Sequence, residues 1–515
     1  MKSLIFSSYL FAFGLSGIAQ TLQIGNAAVG STSHGSLFRT PSGQSLYEAP
    51  INSGLTTIYE SQFWVGYRQS GVKHAIMPLL TSPLIGAQSV FGTQTNLYAY
   101  SPAPLHGAFN KTWDVYSDSL DYHRANYLQN PYTPPKCVSE YVAVGDTAKG
   151  VHPFLLPFEA ADDDGLYSWQ RGDVPVIGGK KSLFALYSDR GVSKPAGNSE
   201  TDLNVSVELY EHPLASVSDA YANSVFARFR VTNTGPTTID SLLIGLVADF
   251  DIGFAEDDYV GTDVPRNMIF GMNYLNSEPL SGYGQSTPAM GVMSLGKSIS
   301  RSVRYNPGIT QASQHSMPTN VNQQFNYFNG IGPDGAALPQ FYASGDPLAK
   351  TGTLDDTLVV NFLDRAMILF LPVDSLTSGS TSCFDFVYVF ARSGNHKQSL
   401  QLLRDYCDEI SANYLSNYQD CGIAQFVGLN EAEEPQNLSI YPNPTFETIN
   451  LNLEDFRDEN VNIQMFNEIG QVVLQANFVF GDSLKKIDVS TLQSGLYVLE
   501  VKSKSKVGRY KVVKI

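Results

Sequence analysis

Basic residues are scarce in this chain. It carries 33 Lys and Arg against 49 Asp and Glu, a formal charge of −16 over 515 residues. Binding nucleic acid requires clustered cations to neutralise phosphates, so that class of function is excluded. Cysteine is sparse too, and Cys137, Cys383, Cys407 and Cys421 show no CxxC spacing, which argues against a structural zinc site. The eight histidines are scattered. No HExxH pair offers zinc ligands, and no GxSxG elbow presents a serine nucleophile. Charged residues of both signs make up only 16% of the chain. Beyond the N-terminus no stretch is apolar enough to span a bilayer.

What is abundant points to β structure. Hydrophobic residues reach 43% and aromatics 12%, ample for packed cores in a chain of several domains. Gly, Ser, Thr, Asn and Tyr are plentiful, which suits strands joined by tight turns. The N-terminus reads as a secretory signal. Lys2 supplies the charge, Leu4 to Leu15 the apolar run, and Gly17 and Ala19 the small-residue exit before Gln20. Export makes disulfides permissible. The preferred pair is Cys407 with Cys421, which flank the end of a predicted helix.

Along the body, apolar residues recur with period two. Val225, Ala227, Phe229 and Val231 fall on one strand face, with Arg228, Arg230 and Thr232 opposite. Asn233-Thr234-Gly235-Pro236 then predicts a turn into the apolar run Leu242 to Ala248, giving an antiparallel hairpin with one strand well buried. Leu403, Tyr406, Ile410 and Tyr414 instead recur at helical spacing and predict one amphipathic helix near 398–415 that closes the body. An acidic, Pro-containing linker follows at 427–436. Beyond it Ile449/Leu451/Leu453, Val461/Ile463/Met465 and Tyr497/Leu499/Val501 alternate, predicting a small sandwich of about seven strands. The fold class is thus mainly β: a multi-part β-sandwich body, then a small Ig-like C-terminal β-sandwich. The expected divisions are 1–19 signal peptide, 20–155 N-terminal β region, 156–426 central sandwich, 427–436 linker and 437–515 terminal domain.

The terminal domain opens with Tyr441-Pro442-Asn443-Pro444-Thr445. It closes with Leu492-Gln493-Ser494-Gly495-Leu496-Tyr497-Val498 and the basic ending Lys511-Val512-Val513-Lys514-Ile515. It resembles the C-terminal sorting domain of type IX secretion cargo in Bacteroidetes. The resemblance implies recognition by the type IX machinery in the outer membrane, with Arg509 to Ile515 as the recognition element. Cleavage would follow, with the body released or attached to surface lipopolysaccharide. The body carries ordered motifs of its own: Phe63-Trp64-Val65-Gly66-Tyr67, Gly172-Asp173-Val174-Pro175, Ala248-Asp249-Phe250-Asp251-Ile252-Gly253 and Val389-Phe390-Ala391-Arg392. Over roughly 55–420 it resembles a group of large secreted Bacteroidetes proteins without an assigned activity. That implies a compartment and a fold type, but no reaction.

The densest chemistry is acidic. Asp249, Asp251, Asp257, Asp258 and Asp263 follow the buried strand, interrupted by Gly253 and Gly261. Carboxylates this close repel unless solvated, protonated or metal-bound. Calcium takes hard oxygens from flexible loops, so these five are candidate ligands; a solvated acidic turn is the plainer alternative. Asp162 and Asp164 form a second candidate pair in Asp162-Asp163-Asp164-Gly165. There Ala160 stands where relatives place a first ligand, and Glu159 or Asp173 is a candidate substitute. Gly291 to Ser298 spells a phosphate loop, but the residues after it make a poor helix, which rules that reading out. Arg171-Gly172-Asp173 is better explained by the Gly-Asp-x-Pro turn than by adhesion. Trp64, Trp113 and Trp169 could stack on sugars, with burial the expected role. Two functions remain. One is a non-catalytic binding or structural module, secreted or on the cell surface, stabilised by calcium and engaging a glycan or protein. The other is a glycan hydrolase, which would need two facing carboxylates about 5 to 10 Å apart.

Overall fold

In the computed structural model, the described residues are 21–31, 35–40, 43–77, 112–145, 155–161, 166–189, 199–278, 282–307, 309, 311, 313–358, 364–414, 439–453, 461–467, 472–478, 484–502 and 507–515. The expected signal peptide and the 427–436 linker lie outside them. The chain divides into two compact units, Met1–Ile423 and Ala424–Ile515.

Two large antiparallel sheets dominate the larger unit, with a three-stranded and a two-stranded sheet beside them. The eight-stranded sheet runs in the order Asp258–Asp263, Met268–Asn273, Ala289–Leu295, Thr381–Ala391, Ser224–Asn233, Leu203–Tyr210, Lys181–Ser188 and Trp113–Tyr116. The seven-stranded sheet runs Arg301–Tyr305, Arg365–Phe370, Ile239–Phe250, Ile58–Gln69 and Ser36–Leu37, with Val72–Ile76 and Asp374–Leu376 alongside. Alternate residues of both sheets meet in one core. Val225, Ala227, Phe229 and Val231 supply one side, and Phe63, Val65, Leu246 and Phe250 the other. Phe63 stacks on Phe229 with ring centroids 4.1 Å apart, a direct measure of sheet-to-sheet contact. The period-two face is therefore as expected, but the hairpin is not. Ser224–Asn233 and Ile239–Phe250 belong to different sheets, so the turn at Asn233 carries the chain across the sandwich. Two apolar strands joined by a turn fit either arrangement, because both sheets offer equally apolar inner faces.

The outer face of the eight-stranded sheet is covered as well. The helix His396–Asn413 begins at Asn395, whose side chain accepts a hydrogen bond from the Gln398 amide. It buries Leu400, Leu403, Cys407 and Ile410 against Met268, Met293, Val387 and Val389. Tyr406 and Tyr414 pack at the margin. Two further helices, Ser117–Asn126 and Val321–Phe328, escape the sequence pattern; the second packs Phe325 and Val321 onto the outer face of the other sheet, beside Trp64 and Phe370.

Covering both faces leaves charged residues in the interior, and several of them find a counter-charge. Arg228, 2% exposed, is held by Asp385 at 2.7 Å, and Tyr414 donates to the same carboxylate at 2.9 Å. Arg230 pairs with Glu208 at 2.9 Å, and Arg365 with Asp355 at 3.0 Å. The expected Cys407–Cys421 disulfide does not form. Cys407 is free and its sulfur lies 3.4 Å from that of Met268, Cys137 is also free, and Cys383 is disulfide-bonded. The helical face that points Cys407 inward removes it from any partner.

The smaller unit contains a three-stranded sheet (Ile440–Tyr441, Thr448–Asn452, Leu484–Asp488) and a four-stranded one (Val472–Phe478, Val461–Phe466, Gly495–Lys502, Val507–Lys514). Ile449, Leu451, Leu453, Ile463, Met465, Leu499 and Val501 fill its core, matching the alternation read from sequence.

Two predictions follow from this packing. Replacing Arg228 by Leu leaves Asp385 buried without its cation and should lower stability by about 3–5 kcal/mol in urea unfolding. Joint replacement of Arg228 and Asp385 by apolar residues should recover most of that loss. On the edge strand, burial pushes the Asp114 carboxyl up to about 6, and neither of its oxygens has a hydrogen-bond partner. The folded chain then holds a proton that the unfolded chain releases near pH ~4, so this group's contribution falls as pH rises from about 4 to about 6. Asp114→Asn should raise the thermal midpoint at pH 7 relative to wild type, with the difference vanishing near pH 4.

Candidate functional site

The apolar strand Ile239–Phe250 ends in a polar pair. Ala248 and Phe250 point into the core, so Asp249 faces the opposite side of the sheet. Its neighbours are Glu60 on one flanking strand and Ala366 on the other. The same register sets Arg365 opposite Phe250, which brings Asp364, one step earlier, beside Asp251. On the other flank the register shifts between Asp249 and Phe250, a bulge that places Tyr59 against this strand end. Asp249, Asp251 and Asp364 each offer a carboxylate oxygen within 4.8 Å of the others. Asp249 is 2% exposed and the other two are half-buried. The Oδ1 atom of each has no hydrogen-bond partner.

The electrostatics follow from that placement. Burial first, and neighbouring carboxylates second, hold Asp249 and Asp251 above the ordinary carboxylate range. Burial does the same for Asp364. The adjacent Glu60 is better served: Arg39 pairs with it at 2.8 Å, and Ser36 and Gln62 each donate to it at 2.5 Å. Three close carboxylates can share protons or surround a cation.

The other expected ligands go elsewhere. Asp258 accepts from the Ile252 amide at 3.0 Å and is held well up by burial. Asp257 accepts from Asn273 at 3.0 Å, and burial together with Glu278 pushes it up to about 6. Glu278 in turn accepts from the amides of Phe254 and Tyr283, at 3.2 and 2.6 Å. Gly253, at φ +74°, lies where a Cβ would meet the Glu278 carboxylate at 2.1 Å, so glycine is required there. Asp263 is paired with Arg266 at 3.1 Å and Arg404 at 3.0 Å, tying a strand end to the helix His396–Asn413. The structure thus brings together Asp249 and Asp251 of the five. It adds Asp364, which sequence reading missed because only sheet register makes it a neighbour. Asp162 and Asp164 lie outside the described residues. Asp173, a candidate substitute ligand there, is fully buried and accepts from the amides of Ala161 and Ser168 at 2.7 and 2.6 Å. That removes it from the surface in the Arg171-Gly172-Asp173 triplet as well. Gly291 to Leu295 forms part of a strand rather than a strand-to-helix loop. Trp64 and Trp113 are buried, and Trp169 is partly so.

In the smaller unit the opening motif and the terminal strand are clasped together. The Asn443 side chain accepts from the Val513 amide at 2.8 Å and donates to the Lys511 carbonyl at 2.6 Å. The Thr445 amide donates to the Val513 carbonyl, and the Ile515 amide to the Thr445 carbonyl. Asn443 therefore stands in for a peptide group along that strand.

Residues 439–515 match the family model for the secretion system C-terminal sorting domain. The chain carries that domain, and is cargo of the type IX secretion system, bound for the extracellular space or the cell surface. Among the described residues no helix is long and apolar enough to cross a membrane. No curated protein matches the chain by sequence. Among solved structures, it aligns with a polysaccharide lyase at 10% identity and a TM-score of 0.21, over 64% of this chain and 39% of that one. It aligns with an aldose 1-epimerase candidate from Escherichia coli K12 at 10% identity and a TM-score of 0.25, over 73% of this chain and 99% of that one. The BSP domain of a biofilm-associated protein gives 11% identity and 0.14, over 65% and 60%. Similarities at these scores carry no argument about mechanism.

Proposed function

We propose that the body, residues 20–426, works outside the cell as a non-catalytic binding or structural module. In this reading calcium steadies the acidic end of its seven-stranded sheet, and a glycan or protein is its ligand. The sorting domain at 437–515 delivers it, and surface lipopolysaccharide is its attachment point where it is retained. The observation that supports this reading is the state of the acidic residues. Asp258 and Asp263 are buried and engaged with neighbouring loops and a helix, and Asp249 is buried at a strand end, positions that suit bracing rather than contact with substrate.

Two measurements test the two halves of the proposal. A chain lacking residues 437–515 should accumulate inside the cell; its normal appearance in the culture medium would overturn the assignment of the address to this segment. Calorimetric unfolding should show a lower midpoint after chelation, restored by calcium, and an unchanged midpoint would remove calcium from the account.

A further inference from the structure

We infer that Asp249, Asp251 and Asp364 form the seat of a single hard divalent cation, with Asp257, Asp258 and Asp263 excluded from it. This rests on the calcium reading above and gives it a location. The geometry is of the right size. Calcium holds its oxygens at about 2.4 Å, so two ligands on opposite sides of one ion lie about 4.8 Å apart. The three carboxylate oxygens all fall within 4.8 Å of one another. A second observation is the burial. Asp249 is 2% exposed, the Oδ1 of each of the three residues lacks a donor, and Asp249 and Asp364 stand within hydrogen-bond reach of each other, an approach that needs a proton or a cation between them. A buried carboxylate oxygen left bare is costly, and a cation is the partner that all three bare oxygens can share.

The excluded residues lie outside the triad and have partners of their own: a backbone amide for one oxygen of Asp258, Asn273 for Asp257 and two arginines for Asp263. Glu60 stands beside Asp249 but is neutralised by Arg39. Position explains what the ion would do. Asp249 and Asp251 belong to the end of one strand and Asp364 to the start of its neighbour, so one ion would pin the ends of two paired strands.

The test uses the full chain and terbium alone as the probe, with luminescence excited through nearby tyrosine and tryptophan. Wild type should show saturable luminescence that calcium competes away. Asp364→Asn should weaken terbium binding by about tenfold or more, as expected for losing one of three charged ligands. Asp257→Asn should leave it within about twofold. In chelator, Asp364→Asn should unfold at a higher temperature than wild type, because it removes a repulsion; this also shows that the variant folds. If wild type responds to calcium but Asp364→Asn responds equally, this seat is wrong while the calcium reading stands. If wild type binds neither ion, both fail. In that case an unchanged or lowered midpoint for Asp364→Asn identifies a cluster held by a shared proton only, which overturns the proposal.

Discussion

Arg228 lies under a helix, on the outer face of a sheet whose inner face is already packed, and its guanidinium is 2% exposed. It persists there because Asp385, on the adjacent strand, meets it with two hydrogen bonds of 2.7 and 3.0 Å. The rest of the body obeys the same constraint. Once both faces of a large sheet are covered, every charge left inside must be matched across a strand or against a helix. Arg230 with Glu208, Arg365 with Asp355 and Asp263 with Arg404 are all solutions of that kind. Arg228 with Asp385 and Asp263 with Arg404 join elements distant in sequence, so these ion pairs fix long-range placement as well as neutralising charge. The carboxylates at the end of the strand Ile239–Phe250 are one place where the constraint is left open.

Much of the architecture was legible in the residues themselves. Alternation in Val225 to Val231 and in Ile449 to Leu453 gave the buried faces, because a strand's period of two is a local property. The helix near 398–415 was visible for the same reason, its apolar stripe being written in consecutive turns. The sorting domain was legible through its motifs, and Asn443 turns out to have a mechanical role in them. What failed were statements about which distant elements meet. The expected hairpin after Asn233 became a crossing between sheets, since alternation says which face is buried and not against what. The expected Cys407–Cys421 bond failed because helical phase, set by packing on Met268, turns that thiol inward.

The candidate site shows the same division. Asp249 and Asp251 stand two apart in the sequence and were identified from it. Asp364 is an ordinary residue before an ordinary strand, and nothing local distinguishes it. It becomes a neighbour only through the pairing of Phe250 with Arg365. Conversely Asp257, Asp258 and Asp263 looked equivalent to the other two by density of charge. The fold gives each a separate partner, so local composition overstated the cluster and understated its reach.

The free thiol of Cys407 has a consequence for how this protein is made. In the finished body it is fully shielded, and burial drives its ionisation far from neutral pH, so oxidants cannot use it. Before the helix docks on the sheet that protection does not exist, and Cys407 is then as available for crosslinking as Cys383. Oxidation that outruns docking would scramble the chain, whereas docking first leaves the exchange chemistry fewer thiols to choose among.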